Sequence, residues 1–188
     1  LQWLVNGPPV STSRGSAAEN IAEFTLAAIF AAAKRLPDIW VHDAQWSFTA
    51  LTPLKGSTLG ILGFGAIGRS LATKAHALGI KVVALRQSQT PFEVEGVEAA
   101  RDIHDLFSRS DHLVLAAPLT DATRHIVDST VLASAKPGLH LINIARGGLL
   151  DQEALLDALA AFDLVADALF EPADLERGVG QMPLRDVQ

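Results

Sequence analysis

The chain has 188 residues, 49% of them hydrophobic, a net charge of −6 from 15 basic and 21 acidic side chains, and no cysteine. That length suits one ordinary domain with a real core. The dispersed charge offers no footprint for nucleic acid or an anionic membrane, and the missing thiols exclude disulfides and thiolate metal sites and point to the cytoplasm. The longest apolar run, Leu26 to Ala33, is too short to span a bilayer. The sequence opens on Leu1 without a signal-like segment, which reads as a fragment or a processed chain. The first stretch, "LQWLVNGPPV", is a short apolar run broken by a turn signal. "SAAENIAEFTLAAIFAAAKRL" predicts a long helix ending at Pro37, with Ser16 and Glu19 as a capping box. Its apolar face is drawn through Ile21, Phe24, Ala28 and Phe30 to Ala32. A shorter amphipathic piece follows around Trp40 to Trp46.

From Ser57 the pattern alternates strand and helix. "TLGILGF", "IKVVAL", "HLVLAAP", "LHLINIA" and "LVADALF" are five apolar runs without polar alternation, as strands buried on both faces of a parallel sheet require. Between them "AIGRSLATKAHALG", "DIHDLFSRS" and "DQEALLDALAA" predict helices, the first ending at Gly79 and the last capped by Asp151. The alternation predicts an α/β fold with a doubly wound parallel sheet, Rossmann-type.

"ILGFGAIGRS" places Gly63-x-Gly65-x-x-Gly68 between the first strand and its helix, the context a dinucleotide-binding turn needs. Gly63 permits a tight turn, Gly65 lets a pyrophosphate approach the backbone, and Gly68 lets helix and strand pack closely. The N–H groups opening the helix, at Ala66 and Ile67 among others, then face the phosphates. The plainer alternative is a tight turn without a ligand. Arg86 stands at the tip of the second strand, where an acid would hold the ribose hydroxyls of NAD. An Arg there removes the repulsion of a 2′-phosphate and offers it a forked cation, and Gln87 and Ser88 add neutral donors. The expectation is NADP(H) in preference to NAD(H); the alternative is a solvated Arg with NAD tolerated.

Four segments, "GSTLGILGFGAIGRSLATKAHALGIKVVAL", "SDHLVLAAPLTDATRHIV", "KPGLHLINIARGGLLDQEAL" and "AAENIAEFTLA", together resemble the D-isomer-specific 2-hydroxyacid dehydrogenase family, closest in type to its glyoxylate/hydroxypyruvate reductases, from about Ser11 to Pro172. The resemblance implies a dinucleotide-binding domain over 11–172, with 1–10 and 173–188 as remnants of a flavodoxin-like substrate domain. It implies hydride transfer between a nicotinamide and a small 2-oxo or 2-hydroxy acid, and a homodimer. Arg146 in "NIARGG" matches the catalytic Arg, and a guanidinium at a strand's carboxyl end suits both gripping a carboxylate and polarising a carbonyl. Glu171 matches the catalytic Glu that raises the pKa of a His, and Asp167 a contact to the nicotinamide carboxamide. Between these two the spacing is one residue tighter than the family pattern, so a strand-end Asp and a surface Glu remain an alternative. Ala117, Pro118 and Thr123, and Ile144 and Ala145, match positions along the cofactor.

The family's proton donor sits in a Pro-His segment, and no Pro-His dipeptide occurs here; the six histidines read as surface or structural. The glycine-rich loop that holds the substrate carboxylate also lacks a counterpart. The expectation is therefore a chain that binds cofactor and turns over poorly alone. A second reading is a non-catalytic dinucleotide-sensing or corepressor-like protein, which the family also contains.

Overall fold

The computed structural model of the chain describes residues 15–39, 51–88, 90–161 and 165–168. In chain order these form helix α1 (Ala18–Ala33), α2 (Leu36–Ile39), strand β1 (Thr58–Leu62), α3 (Ala66–Ala77), β2 (Lys81–Leu85), β3 (Val97–Ala99) and α4 (Ile103–Arg109). They continue with β4 (His112–Leu115), α5 (Ser129–Leu132), β5 (His140–Asn143), a 3₁₀ turn (Gly147–Leu149), α6 (Gln152–Ala161) and β6 (Val165–Ala168). The six strands are all parallel, in the order β3-β2-β1-β4-β5-β6. The chain first winds outward from β1 through β2 to β3, then returns to β1's other side with β4. That reversal opens a crevice above the carboxyl ends of β1 and β4.

Side chains along β1, β2, β4 and β5 alternate between two cores. Leu59, Ile61, Val82, Ala84, Val114 and Ile142 face a layer containing Ala22, Leu26, Ile29, Leu71 and Ala75 of α1 and α3. Leu62, Val83, Leu113, Leu115 and Leu141 face a layer containing Leu106, Phe107, Leu132 and Ala158 of α4, α5 and α6. Covering both faces is why these strands read as unbroken apolar runs. The doubly wound sheet expected from the sequence is thus present, with a sixth strand added. The added strand, β3, is a three-residue edge strand whose Glu98 and Ala99 are exposed, so it lacks the apolar signature of the other five.

The observed strands are shorter than the apolar runs that announced them. Register aligns Leu85, Leu62, Leu115, Asn143 and Ala168 in one row across β2, β1, β4, β5 and β6. Beyond this row Phe64, Ala117, Ile144 and Ala145 leave the sheet to build loops. Gly63 N–H still reaches Leu85 O at 2.8 Å, and Ala116 N–H reaches Leu62 O at 2.8 Å, so the loops start at one height.

The capping box is a correction. Helix α1 begins after Ala17 with no side-chain cap, and Glu19 instead meets Lys74 of α3 at 2.6 Å. The buried stripe is also rotated from the expected one. It runs through Ala18, Ala22, Thr25, Leu26, Ile29 and Ala33, packed on α3 and the sheet, while Phe24 is 54% exposed. The long helix stops before Pro37, because Arg35 turns left-handed at φ 49° and α2 starts anew. The Trp40 to Trp46 piece lies outside the described residues. Asp151 caps α6 as expected, accepting from Glu153 N–H at 3.1 Å and Ala154 N–H at 3.2 Å.

Candidate dinucleotide-binding site

The glycine-rich turn divides three tasks among its glycines. Gly63 has φ +97°, and a Cβ there would lie 2.6 Å from Ala117 N and 2.7 Å from Ala116 C. Both the left-handed backbone and the approach of the loop after β4 demand glycine. A Cβ on Gly68 would meet Gly63 O at 2.7 Å, so α3 packs against the turn itself. Gly65 is different: nothing in the chain lies within 4 Å of its missing Cβ. A side chain there would enter open space.

That space belongs to a cleft of about 570 Å³, lined by residues 15–17 ahead of α1, Ala18 and Ile21 at its start, residues 65–69 at the head of α3, and Ala116. Helix α3 has Gly65 at its N-cap and no capping side chain, so its first N–H groups stay available to an acceptor. With the helix dipole behind them they form an anion cradle. Gly63, Gly65, Ala66, Ile67 and Gly68 are therefore brought together as the sequence foresees, and the cradle fits a pyrophosphate.

Arg86 lies directly beyond Leu85, at the height of Gly63, but it is not a loose fork. Its Nη2 donates to Thr90 O at 2.5 Å, Thr90 Oγ1 at 2.7 Å and Pro91 O at 2.8 Å. Its guanidinium carbon stands 4.7 Å from the Phe92 ring centre and 5.9 Å from that of Phe64, and the two rings meet edge to face at 4.7 Å. Glu93 lies 3.6 Å from Nη1. The side chain is 12% exposed, and Nε is buried without an acceptor. The guanidinium is thus packed and hydrogen-bonded rather than solvated. Glu93 is held below the usual carboxylate range by its own backbone N–H, with the Arg86 and Arg69 cations adding to that. Gln87 and Ser88 are exposed beside it, and Ser88 Oγ sits 3.0 Å from Thr90 Oγ1.

Across the crevice, Ala117 is buried against the Gly63 turn while Pro118 is exposed. The Thr123 hydroxyl donates to Pro118 O at 2.7 Å and accepts Thr120 N–H at 2.7 Å, so it closes its own loop. Ile144 N–H is taken by Leu115 O at 3.2 Å, and Ala145 N–H by Asn143 Oδ1 at 3.0 Å.

Arg146 is exposed just past β5, with Nη1 donating to Ala145 O at 3.0 Å. Its position depends on a residue that the sequence reading missed. Asn143 is 2% exposed; it donates from Nδ2 to Arg146 O at 3.0 Å and accepts Ala145 N–H. One buried amide thus ties both sides of the turn that presents Arg146. The available signal was a lone Asn closing an apolar strand, since a buried polar side chain must find partners. Asp167 lies in β6 opposite Ile142, one row below the carboxyl edge. Glu171 lies outside the described residues.

The amino edge holds the other notable polar cluster. His112 and His140 start adjacent strands and face each other, Nδ1 to Nδ1, at 3.2 Å. Both are buried; burial first, then the neighbouring His140, push the His112 imidazole down from 6.5 to about 4. They are structural histidines, as expected, and stand at the opposite end of the sheet from Arg146.

The model of the "D-isomer specific 2-hydroxyacid dehydrogenase, NAD binding domain" matches residues 26–171. A hydroxypyruvate reductase of Thermotoga maritima is 34% identical over 169 residues, covering 87% of this chain and 54% of that protein. Among solved structures, a glycerate dehydrogenase related protein of Thermoplasma acidophilum superposes with TM-score 0.82 at 29% identity, covering 94% of this chain and 66% of that one. The D-lactate dehydrogenase of Aquifex aeolicus complexed with NAD and lactic acid gives TM-score 0.73 at 30% identity, covering 84% of this chain and 49% of that one. The chain spans between about a quarter and about half the length of the curated relatives it matches. No helix among the described residues is long and apolar enough to cross a membrane. On the match over 26–171, and on the glycine turn and strand order that agree with it, the chain belongs to the D-isomer specific 2-hydroxyacid dehydrogenases and carries their NAD-binding domain.

Proposed function

We propose that the chain is the cofactor half of an NAD(P)-dependent 2-hydroxyacid dehydrogenase that reduces a small 2-oxo acid such as glyoxylate or hydroxypyruvate, taking NADP(H) in preference to NAD(H). The observation that carries the reading is the open space at Gly65 above an uncapped helix start. In this reading the first N–H groups of α3 hold the pyrophosphate and Ala117, Pro118, Ile144 and Ala145 flank the nicotinamide. Asp167 and Glu171 keep the roles that the family pattern gives them. When bound, the dinucleotide supplies or accepts the hydride. Arg146 grips the substrate carboxylate and polarises the C2 carbonyl, drawing its developing negative charge toward the guanidinium. Asn143 fixes the height at which it does so.

NADP(H) preference is supported by the cation at the tip of β2 and by the lack of an acid at residues 86–88. Titration of the chain with NADPH and NADH by fluorescence tests both parts. Binding of neither below millimolar concentration would remove the dinucleotide reading, and NADH held tenfold more tightly than NADPH would remove the preference. Arg146→Gln should leave NADPH affinity within about threefold while abolishing any effect of added glyoxylate on the bound fluorescence. The reading also takes the chain as a homodimer through the outer face of α1, where Phe24 is 54% and Phe30 36% exposed. Sedimentation that finds a monomer at micromolar concentration would count against it.

A further inference from the structure

Arg86 is the residue on which cofactor choice rests, yet its guanidinium is already engaged. Nη2 is spent on Thr90 and Pro91, the plane is packed beside Phe92 and Phe64, and Nη1 looks at the Glu93 carboxylate across 3.6 Å. That last separation is an ion pair too long for a hydrogen bond. Its acidic partner is 56% exposed, so it can leave at little cost. Arg69, on the first turn of α3, lies in the wall of the cleft. An exposed anion therefore stands against the cation at the tip of β2. This is the arrangement a ribose 2′-phosphate would itself make.

We propose that Glu93 is a specificity-determining residue of the adenosine end: its carboxylate occupies the anion position beside Arg86 and so competes with the 2′-phosphate of NADP(H). The proposal rests on the dinucleotide reading above and deepens it. Glu93 leaves the 2′-hydroxyl of NAD(H) unopposed and charges an electrostatic toll only on a phosphorylated ribose. The natural preference for NADP(H) is then the preference of Arg86 reduced by Glu93. The β2–β3 loop also connects this choice to the pyrophosphate turn, because Phe64 of "GFG" and Phe92 form one aromatic contact around Arg86.

The test uses adenosine 2′,5′-bisphosphate and adenosine 5′-monophosphate as probes, with dissociation constants measured by calorimetry on the 188-residue chain. Glu93→Gln should tighten the bisphosphate by roughly three- to fivefold and leave the monophosphate within twofold, the size expected for one exposed charge. Glu95→Gln is the control: it removes the same charge from the same exposed loop and should leave the ratio of the two probes within twofold. Adding Arg86→Gln to Glu93→Gln should erase the gain. Equal tightening of both probes by Glu93→Gln, an unchanged ratio, or a matching shift in Glu95→Gln would overturn the proposal while leaving the nucleotide site standing. A wild-type chain that binds neither probe would overturn the nucleotide site and this proposal together.

Discussion

Gly63 and Gly65 are two residues apart and make opposite predictions. Gly63→Ala forces a side chain onto a left-handed backbone and into Ala116 and Ala117. It should cost about 2–4 kcal/mol of stability, measured by urea unfolding, whatever the ligand. Gly65→Ala meets open space with φ −88°. It should change stability by less than about 0.5 kcal/mol while lowering nucleotide affinity at least tenfold, since the methyl fills room reserved for phosphate. If Gly65→Ala binds NADPH as well as wild type, the cradle is not where we place it. Asn143→Ala belongs beside these. Losing both bonds of a buried amide should cost about 1–3 kcal/mol and loosen the turn under Arg146. Glyoxylate sensitivity should therefore weaken more than NADPH affinity does. At this scale the sequence spoke clearly where a residue type has a single backbone reason, as at the three glycines. It was silent where partners decide. Nothing in "VVALRQSQ" tells that Arg86 turns back on Thr90, or that Glu93 stands beside it.

Among the elements, α1 is held by one narrow stripe. Ile29 is fully buried between α3 and the sheet, so Ile29→Ala should cost about 2–5 kcal/mol. Glu19→Gln, on the exposed ion pair with Lys74, should cost far less. A larger loss at Glu19 than at Ile29 on chemical unfolding would mean that α1 is fastened by charge rather than by packing. The contrast explains what was legible. Strands covered on both faces announce themselves by composition alone, as β1, β2, β4 and β5 do. β3, exposed on an edge, has no such signature. The Ser16 and Glu19 pattern was a valid local signal for a cap, overruled when Lys74 of a neighbouring helix offered Glu19 a cationic partner. The face of α1 was misassigned because an Ala-rich helix offers apolar residues on every side, leaving packing to choose among them.

For the whole molecule, acid stability should be governed from the amino edge of the sheet. In the folded chain His112 stays neutral down to about 4, whereas unfolded it takes a proton near 6.5. Its contribution is therefore complete above pH 6.5 and lost as pH falls toward 4, amounting to about 2 to 3 kcal/mol between pH 7.5 and 4.5. Asp105, Asp111 and Asp128 are all held below the usual carboxylate range by their hydrogen-bond partners, burial opposing this at Asp111, so they remain ionised over this window. Unfolding free energies at the two pH values should differ by that amount in wild type and by much less in His112→Asn. An equal difference in both proteins would relieve the histidine pair of this role. Cofactor affinity should follow neither change, since the pair and the crevice occupy opposite ends of the same strands.

The level row from Leu85 to Ala168 has a consequence for how this domain can vary. Because every functional loop departs from one height, the row works as a surveyor's datum, and length changes inside a strand are errors of altitude. One residue inserted within β5 would lift Asn143 and Arg146 by about 3.3 Å and turn each to the opposite side of the sheet. One inserted after Gly147 would leave both in place. Variation in this scaffold is thus free above the datum and forbidden below it. A deletion and insertion scan through residues 140–150, read by NADPH binding, would trace that boundary one residue at a time.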